Sequence, residues 1–218
     1  MRTTADRHVR YRNDHPVAAG GVAIVCVSRR PHLLSCVIEA ANRQAEVRPE
    51  FVLVPNGDAW DRAATDAAVA ALDRATVVWR AEPTSLGEGL NAGIAATDAR
   101  FVAKFDDDDH YGPHYLADAL RAHGFAGAGV VGKHTYYADV EGVDDRLVRF
   151  PGHEFSYGST LAGGTLVIDR DRVGDLGFDD VSLGEDRAFI HACHRRGVST
   201  YSADRFNFVQ MRGVDNTW

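Results

Sequence analysis

Apolar residues come in short continuous runs separated by polar, helix-spaced stretches from Gly21 onward. Val22-Ala23-Ile24-Val25-Cys26-Val27 is uniformly apolar, the pattern of a strand buried on both faces. Pro31 then opens a helix with Leu33, Leu34, Val37, Ile38 and Ala41 on one face. Phe51-Val52-Leu53-Val54 reads as a second strand, stopped by Pro55-Asn56-Gly57. An Ala-rich helix over about 60–73, a strand over 76–79, a helix over 86–96 and the strand Phe101-Val102-Ala103-Lys104-Phe105 complete a βαβαβαβ order. That order predicts a doubly wound, mostly parallel sheet flanked by helices.

After a helix over about 113–123 the texture changes. Segments 130–137, 147–150, 160–168, 199–202 and 206–210 read as strands, with a helix over 185–196. This implies a smaller antiparallel part in the C-terminal half. The sequence therefore predicts one α/β domain over 21–218, with a first half over 21–110 and a second over 111–218. Residues 1–20 carry Arg2, Arg7, Arg10 and Arg12 with little apolar content and read as a loose leader.

The chain has 218 residues, 45% hydrophobic and 25% charged, enough for a full core. Its formal net charge of −7 argues against a nucleic-acid partner. Cys26, Cys36 and Cys193 lack metal-ligand spacing and fit reduced thiols. With no apolar run of membrane-spanning length and no signal-like N-terminus, a cytoplasmic protein is expected, with peripheral membrane contact left open.

The chemistry concentrates at Asp106-Asp107-Asp108-Asp109. Four carboxylates leaving a strand repel one another and call for a compensating cation, and oxygen ligands of this kind suit Mg²⁺ or Mn²⁺. In parallel sheets, ligands bind beyond the carboxyl ends of the strands. Ser28-Arg29-Arg30, Pro55-Asn56-Gly57-Asp58 and the four aspartates all fall there.

These segments, in this order, resemble the family 2 glycosyltransferases. The likeness rests on Val25 to Pro31 with Gln44, on Leu86-Gly87-Glu88-Gly89-Leu90-Asn91, and on the D-x-D-D stretch at 106–109 followed by Pro113. It also rests on Gly163-Gly164-Thr165 and on Gly184-Glu185-Asp186, about eighty residues after the aspartates. The resemblance implies a GT-A fold and transfer of a sugar from a nucleotide-sugar donor to a carbohydrate or other hydroxyl acceptor. It implies Asp108 as main metal ligand and Asp106 as a second ligand or ribose contact, with Asp107 and Asp109 beside them. It further implies Asp186 as general base with Glu185 as a positioning group. Ser28, Arg30, Asn56, Asn91, Asp106, Asp107 and Gly164 become the donor-binding candidates, and the implied mechanism is inversion by single displacement. Pro55-Asn56 stands where the family more often has two aspartates, so the base-reading loop differs. No histidine follows the last strand; Asp215 or Asn216 offers an oxygen in its place. Two other readings stay open: a catalytically silent binding module of this fold, and a nucleotidyltransferase. The latter is disfavoured because Ser28-Arg29-Arg30-Pro31 lacks a glycine-rich loop.

Overall fold

Strand β1 (Val22–Ser28) lies at the centre of the parallel part of the main sheet, between β2 (Glu50–Pro55) and β4 (Phe101–Lys104), parallel to both. Strand β3 (Ala75–Val77) adds in parallel outside β2. The computed structural model describes residues 4–80 and 84–213. The uninterrupted apolar runs follow from burial on both sides. Ile24 and Cys26 face a core with Val37, Ala40 and Ala41 of α2 (Leu34–Asn42) and with Leu116 and Leu120 of α5 (Tyr115–Ala126). Val25, between them, faces the opposite core with Leu90 of α4 (Leu86–Ala95) and Phe189 and Ile190 of α7 (Glu185–Arg195). Alternation along one strand thus fills two cores, and truncating either kind of residue would cost about 2–5 kcal/mol.

The first connections follow the sequence pattern. Pro31 starts a single 3₁₀ turn that runs into α2, and Asp61 caps α3 (Arg62–Val69) by accepting from the Ala64 N–H. Helix α4 begins at Ser85, whose hydroxyl accepts from the Glu88 N–H. At Gly87 a side chain would collide with the Asp179 carbonyl, so the 179–181 loop can cross the start of this helix only over a glycine.

The second half both extends this sheet and builds another. The main sheet runs β3-β2-β1-β4-β10-β6-β11-β9, and so crosses the division at residue 110 without a break. Strand β10 (Val167–Asp169) runs antiparallel between β4 and β6 (Val130–Gly132). Strand β11 (Thr200–Ser202) is parallel to β6, and β9 (Ser156–Tyr157) is antiparallel to β11. The smaller sheet has the order β5-β12-β7-β8, formed by His110–Tyr111, Phe208–Arg212, Tyr136–Val140 and Leu147–Arg149. Two of its three pairings are antiparallel. This is the α/β architecture the sequence predicts: a large, mostly parallel sheet flanked by helices, with a smaller, mainly antiparallel sheet.

Three local expectations give way. The single strand read over 130–137 is two strands in different sheets, because the chain turns at Lys133, whose buried ammonium donates to the Asp204 carbonyl at 2.5 Å. The strand read over 160–168 begins instead with a 3₁₀ turn at Gly163–Thr165. The segment read as a loose leader contains helix α1 (Thr4–Asp14). Arg12 of α1 makes two hydrogen bonds to the Asp118 carboxylate, at 3.1 and 2.9 Å, and His8 packs edge-on to Phe206 with ring centroids 4.5 Å apart. Anchors of this kind, one ion pair and ring edges, leave no apolar stripe for periodicity to detect.

Candidate active site

Beyond the carboxyl ends of β1 and β4 lies a cavity of about 1060 Å³, walled on its other side by the Gly163–Thr165 turn, the start of α7 and the end of β12. Its size suits a nucleotide sugar together with part of an acceptor. Arg30, Asp106, Asp107, Asp108, Gly164, Glu185 and Asp186 all line it, so seven of the sequence candidates share one space. Ser28, Asn56 and Asn91 do not line it.

The four aspartates have four different environments. Asp107 is buried and fully engaged. Its carboxylate accepts from Arg30 Nε at 3.2 Å, from the Arg30 guanidinium through a second bond, and from the Ser28 hydroxyl. Asp108 stands 3.0 Å from Arg30 and is more open. Asp106 accepts from Lys104 Nζ at 2.5 Å. Among the described residues Asp109 accepts the Met211 N–H alone, at 2.9 Å, and its carboxylate makes no ion pair. Burial, followed by the charge of Asp106, pushes its pKa well above the ordinary carboxylate range.

Two glycines join this cluster to the second acidic motif. A side chain on Gly164 would lie 2.7 Å from Asp106 Oδ2 and 2.9 Å from Asp109 Oδ2, and one on Gly163 would collide with Asp186 Oδ2. Carboxylates from β4 and from α7 therefore close on consecutive residues of one turn, where only glycine fits. Tyr111 fixes that turn: its hydroxyl accepts from the Asp106 N–H at 2.8 Å and donates to the Gly164 carbonyl at 2.7 Å.

Asp186 sits in the first turn of α7, its carboxylate accepting the Arg187 N–H at 2.6 Å. Glu185 is buried, with its pKa raised by burial against the opposing charge of Lys104, whose Nζ is 4.0 Å away. Lys104 is thus a buried cation between the two acidic motifs. Burial disfavours its charge, yet Asp106 and Glu185 hold it protonated. The sequence reading missed it, although a lysine inside an apolar strand two residues before the aspartates is a visible signal. Arg30 shows the same balance: burial works against its charge, and Asp107 and Asp108 more than compensate.

The three candidates outside the cavity divide. Ser28 acts through Asp107. Asn56 is buried with its amide N–H donating to the Thr84 carbonyl at 2.8 Å, and among the described residues its Oδ1 has no partner. Both ends of the Asn91 amide are engaged with the backbone of Phe178, each at 2.8 Å, which ties α4 to the 177–178 loop. Asp215 and Asn216 lie outside the described residues.

The oxygen-only donor set at Asp106, Asp108 and Asp109, with one carboxylate held above its ordinary pKa by burial and then by the charge of Asp106, fits a hard divalent cation. A second grouping, His8, Asp118 and Asp204, also brings three ligand atoms within 4.8 Å of one another. It lies away from the cavity, and its carboxylates are already paired with Arg12, Arg121 and Lys133.

The sequence matches the model of glycosyl transferase family 2 over residues 22–173. The chain belongs to that family. A comparison with curated proteins gave no match. Among solved structures, S. aureus TarS 1-349 is similar, with a TM-score of 0.68 and 15% identity over 88% of this chain and 60% of that one. The same protein in complex with UDP matches with a TM-score of 0.68 and 14% identity, over the same shares of the two chains. This family 2 chain thus spans less than two thirds of the TarS chain it resembles. At such identity the likeness speaks for the GT-A fold. Among the described residues no helix is long and apolar enough to cross a membrane.

Proposed function

We propose that this family 2 glycosyltransferase moves a sugar from a nucleoside diphosphate sugar to an acceptor hydroxyl, with inversion at the anomeric carbon. The observation that carries this reading is the meeting of Asp186 with the Asp106–Asp109 cluster across the Gly163-Gly164 turn. The donor's diphosphate lies against Asp106 and Asp108, and Asp186 stands on the acceptor side. As the acceptor oxygen attacks the anomeric carbon, the Asp186 carboxylate takes its proton. The bond from that carbon to the diphosphate oxygen breaks on the opposite face. General base catalysis of this kind contributes about 10²–10⁴-fold.

A divalent ion, Mg²⁺ or Mn²⁺, held by Asp108, Asp106 and Asp109, would neutralise charge on the departing diphosphate. Arg30 and Asp107 act as the frame that positions Asp108, and Lys104 fixes the spacing between Asp106 and Glu185. The UDP in the TarS structure supports a nucleotide donor for this chain.

The test is release of nucleoside diphosphate from UDP-, GDP-, dTDP- and CDP-sugars, with Asp186→Asn in parallel. Turnover of one donor class, lost in the variant, is the expected result. Nucleotide binding without turnover of any donor would instead make this a silent binding module.

A further inference from the structure

Strand β4 carries a lysine where burial on both faces otherwise selects apolar side chains. Lys104 is 4% exposed and Glu185, at the start of α7, is 5% exposed, yet both line the cavity. A buried charge is costly unless its hydrogen bonds are met. Here they are met only in part. An ammonium has three N–H donors. Asp106 accepts one, at 2.5 Å, and among the described residues no other acceptor lies within hydrogen-bond distance of Lys104 Nζ. Glu185 Oε1 stands 4.0 Å away, too far for a direct bond. Apart from its own N–H, no residue among those described donates to the Glu185 carboxylate. Two buried charged groups thus face one space with hydrogen-bonding capacity to spare.

The gap between them has a definite size. An oxygen about 2.8 Å from each group fits between atoms 4.0 Å apart. It must accept from the ammonium and donate to the carboxylate, and a hydroxyl does both. A carboxylate or carbonyl has no proton to give Glu185, and an apolar group would leave both charges unanswered. Position then says whose hydroxyl it is. The series Asp106, Lys104, Glu185, Asp186 runs from the residues assigned to the diphosphate to the assigned base. A sugar bonded to that diphosphate and attacked beside Asp186 crosses the pair.

We infer that Lys104 and Glu185 select the transferred sugar, by holding one of its hydroxyls between the ammonium and the carboxylate. A sugar lacking that hydroxyl displaces solvent from the pair and returns no hydrogen bond, so the site rejects it. This assignment rests on the glycosyl-transfer reading and adds the residues that choose the sugar.

Calorimetry in Mg²⁺ buffer tests it. UDP-, GDP-, dTDP- and CDP-linked glucose and galactose, GDP-mannose and UDP-N-acetylglucosamine are screened for a donor that binds more tightly than its own nucleoside diphosphate. The monodeoxy analogues of that donor are then titrated into wild type, Lys104→Met and Glu185→Ala. The expected result is one analogue that wild type binds at least about tenfold more weakly than the parent donor. In both variants that ratio should fall to about threefold or less, while the ratios for the other analogues stay as in wild type. Titration of the nucleoside diphosphate on the same samples shows that each variant folds, and separates any change at Asp106 from the loss at the sugar. Should Lys104→Met bind no nucleotide, Glu185→Ala decides. A purely structural pair would shift every affinity alike and leave all ratios intact, and that result would overturn the assignment. So would a wild type that discriminates against no analogue, or for which no sugar adds to the affinity of its nucleotide. Absence of nucleotide binding by the wild-type chain would instead overturn the transfer reading beneath it.

Discussion

Two groups of carboxylates, one beside α5 and one at the end of β4, differ in how their charge is met. Asp118 and Asp204 are buried, and protein cations surround them: Arg12 and Arg121 on the first, Lys133 on the second. Asn207 and the Phe206 N–H take further lone pairs. At the cleft, Asp107 is satisfied in the same way by Arg30 and Ser28, whereas Asp109 has one backbone N–H and acidic neighbours. Proximity alone would rank the first group as a metal site, since His8 joins it within 4.8 Å. Charge balance ranks them the other way. A carboxylate paired by the protein holds the fold together; one left with excess charge is prepared for something that is not protein.

The comparison can be broken most severely at Asp186. Asp186→Asn should lower kcat by about 10²–10⁴-fold while leaving nucleotide affinity within about twofold. Equal loss of nucleotide binding would place Asp186 in the donor site and remove it as base.

At the other group the expected effect is on stability. Asp118→Ala takes from Arg12 its carboxylate partner and from Arg121 the second of its two, and should cost about 3 kcal/mol. For a chain of this length that corresponds to a fall in Tm of about 6–12 °C by thermal melting. Nucleotide binding should survive below the new Tm. Selective loss of binding with no change in Tm would reverse the assignments of the two groups.

Asp109→Asn sharpens the contrast in the opposite direction. A carboxyl whose pKa is higher in the folded chain than in the unfolded one binds its proton more tightly when folded. Ionisation therefore subtracts stability, which returns as pH falls through the raised value. Without divalent metal, the variant should melt a few degrees above wild type at neutral pH, roughly 1 kcal/mol of relief. That advantage should shrink on acidification. Mn²⁺ should raise the Tm of wild type more than that of the variant. A variant that melts lower at neutral pH would show Asp109 to be a structural carboxylate like Asp118.

Glu46 gives the smallest effect and the opposite sign. Its hydrogen bond from Arg121 Nη2, assisted by one with His114, holds its pKa below the usual range despite partial burial. Its contribution is present above the ordinary carboxylate range and lost as pH falls through the lowered value. The pair is partly exposed and should be worth less than about 1 kcal/mol. Glu46→Gln should lower Tm by about 2 °C at neutral pH, and the difference should vanish in acid.

The same contrast explains what could be read from the residues alone. The parallel part was legible because burial on both faces forces apolar runs such as Val22 to Val27, and helix spacing such as Val37 to Ala41. The four aspartates and Glu185-Asp186 were legible because carboxylates gathered at element ends are chemically conspicuous. Helix α1 was not, since it docks through Arg12 and ring edges. Segment 130–137 hid a change of sheet because Lys133 and Thr135 look ordinary until their partners, Asp204 and Phe150, are known. Charge balance is likewise a property of contacts: nothing in Asp-Asp-Asp-Asp tells Asp107, clamped by Arg30, from Asp109.

The central claim is that the cleft carboxylates await a metal and a nucleotide while those beside α5 do not. Calorimetric titration of UDP, GDP, dTDP and CDP, with and without Mn²⁺, into wild type, Asp108→Ala and Asp118→Ala tests it most directly. The account predicts metal-dependent binding of one nucleotide by wild type, kept by folded Asp118→Ala and lost in Asp108→Ala. Binding that ignores Mn²⁺, or that survives in Asp108→Ala and disappears in Asp118→Ala, would contradict it.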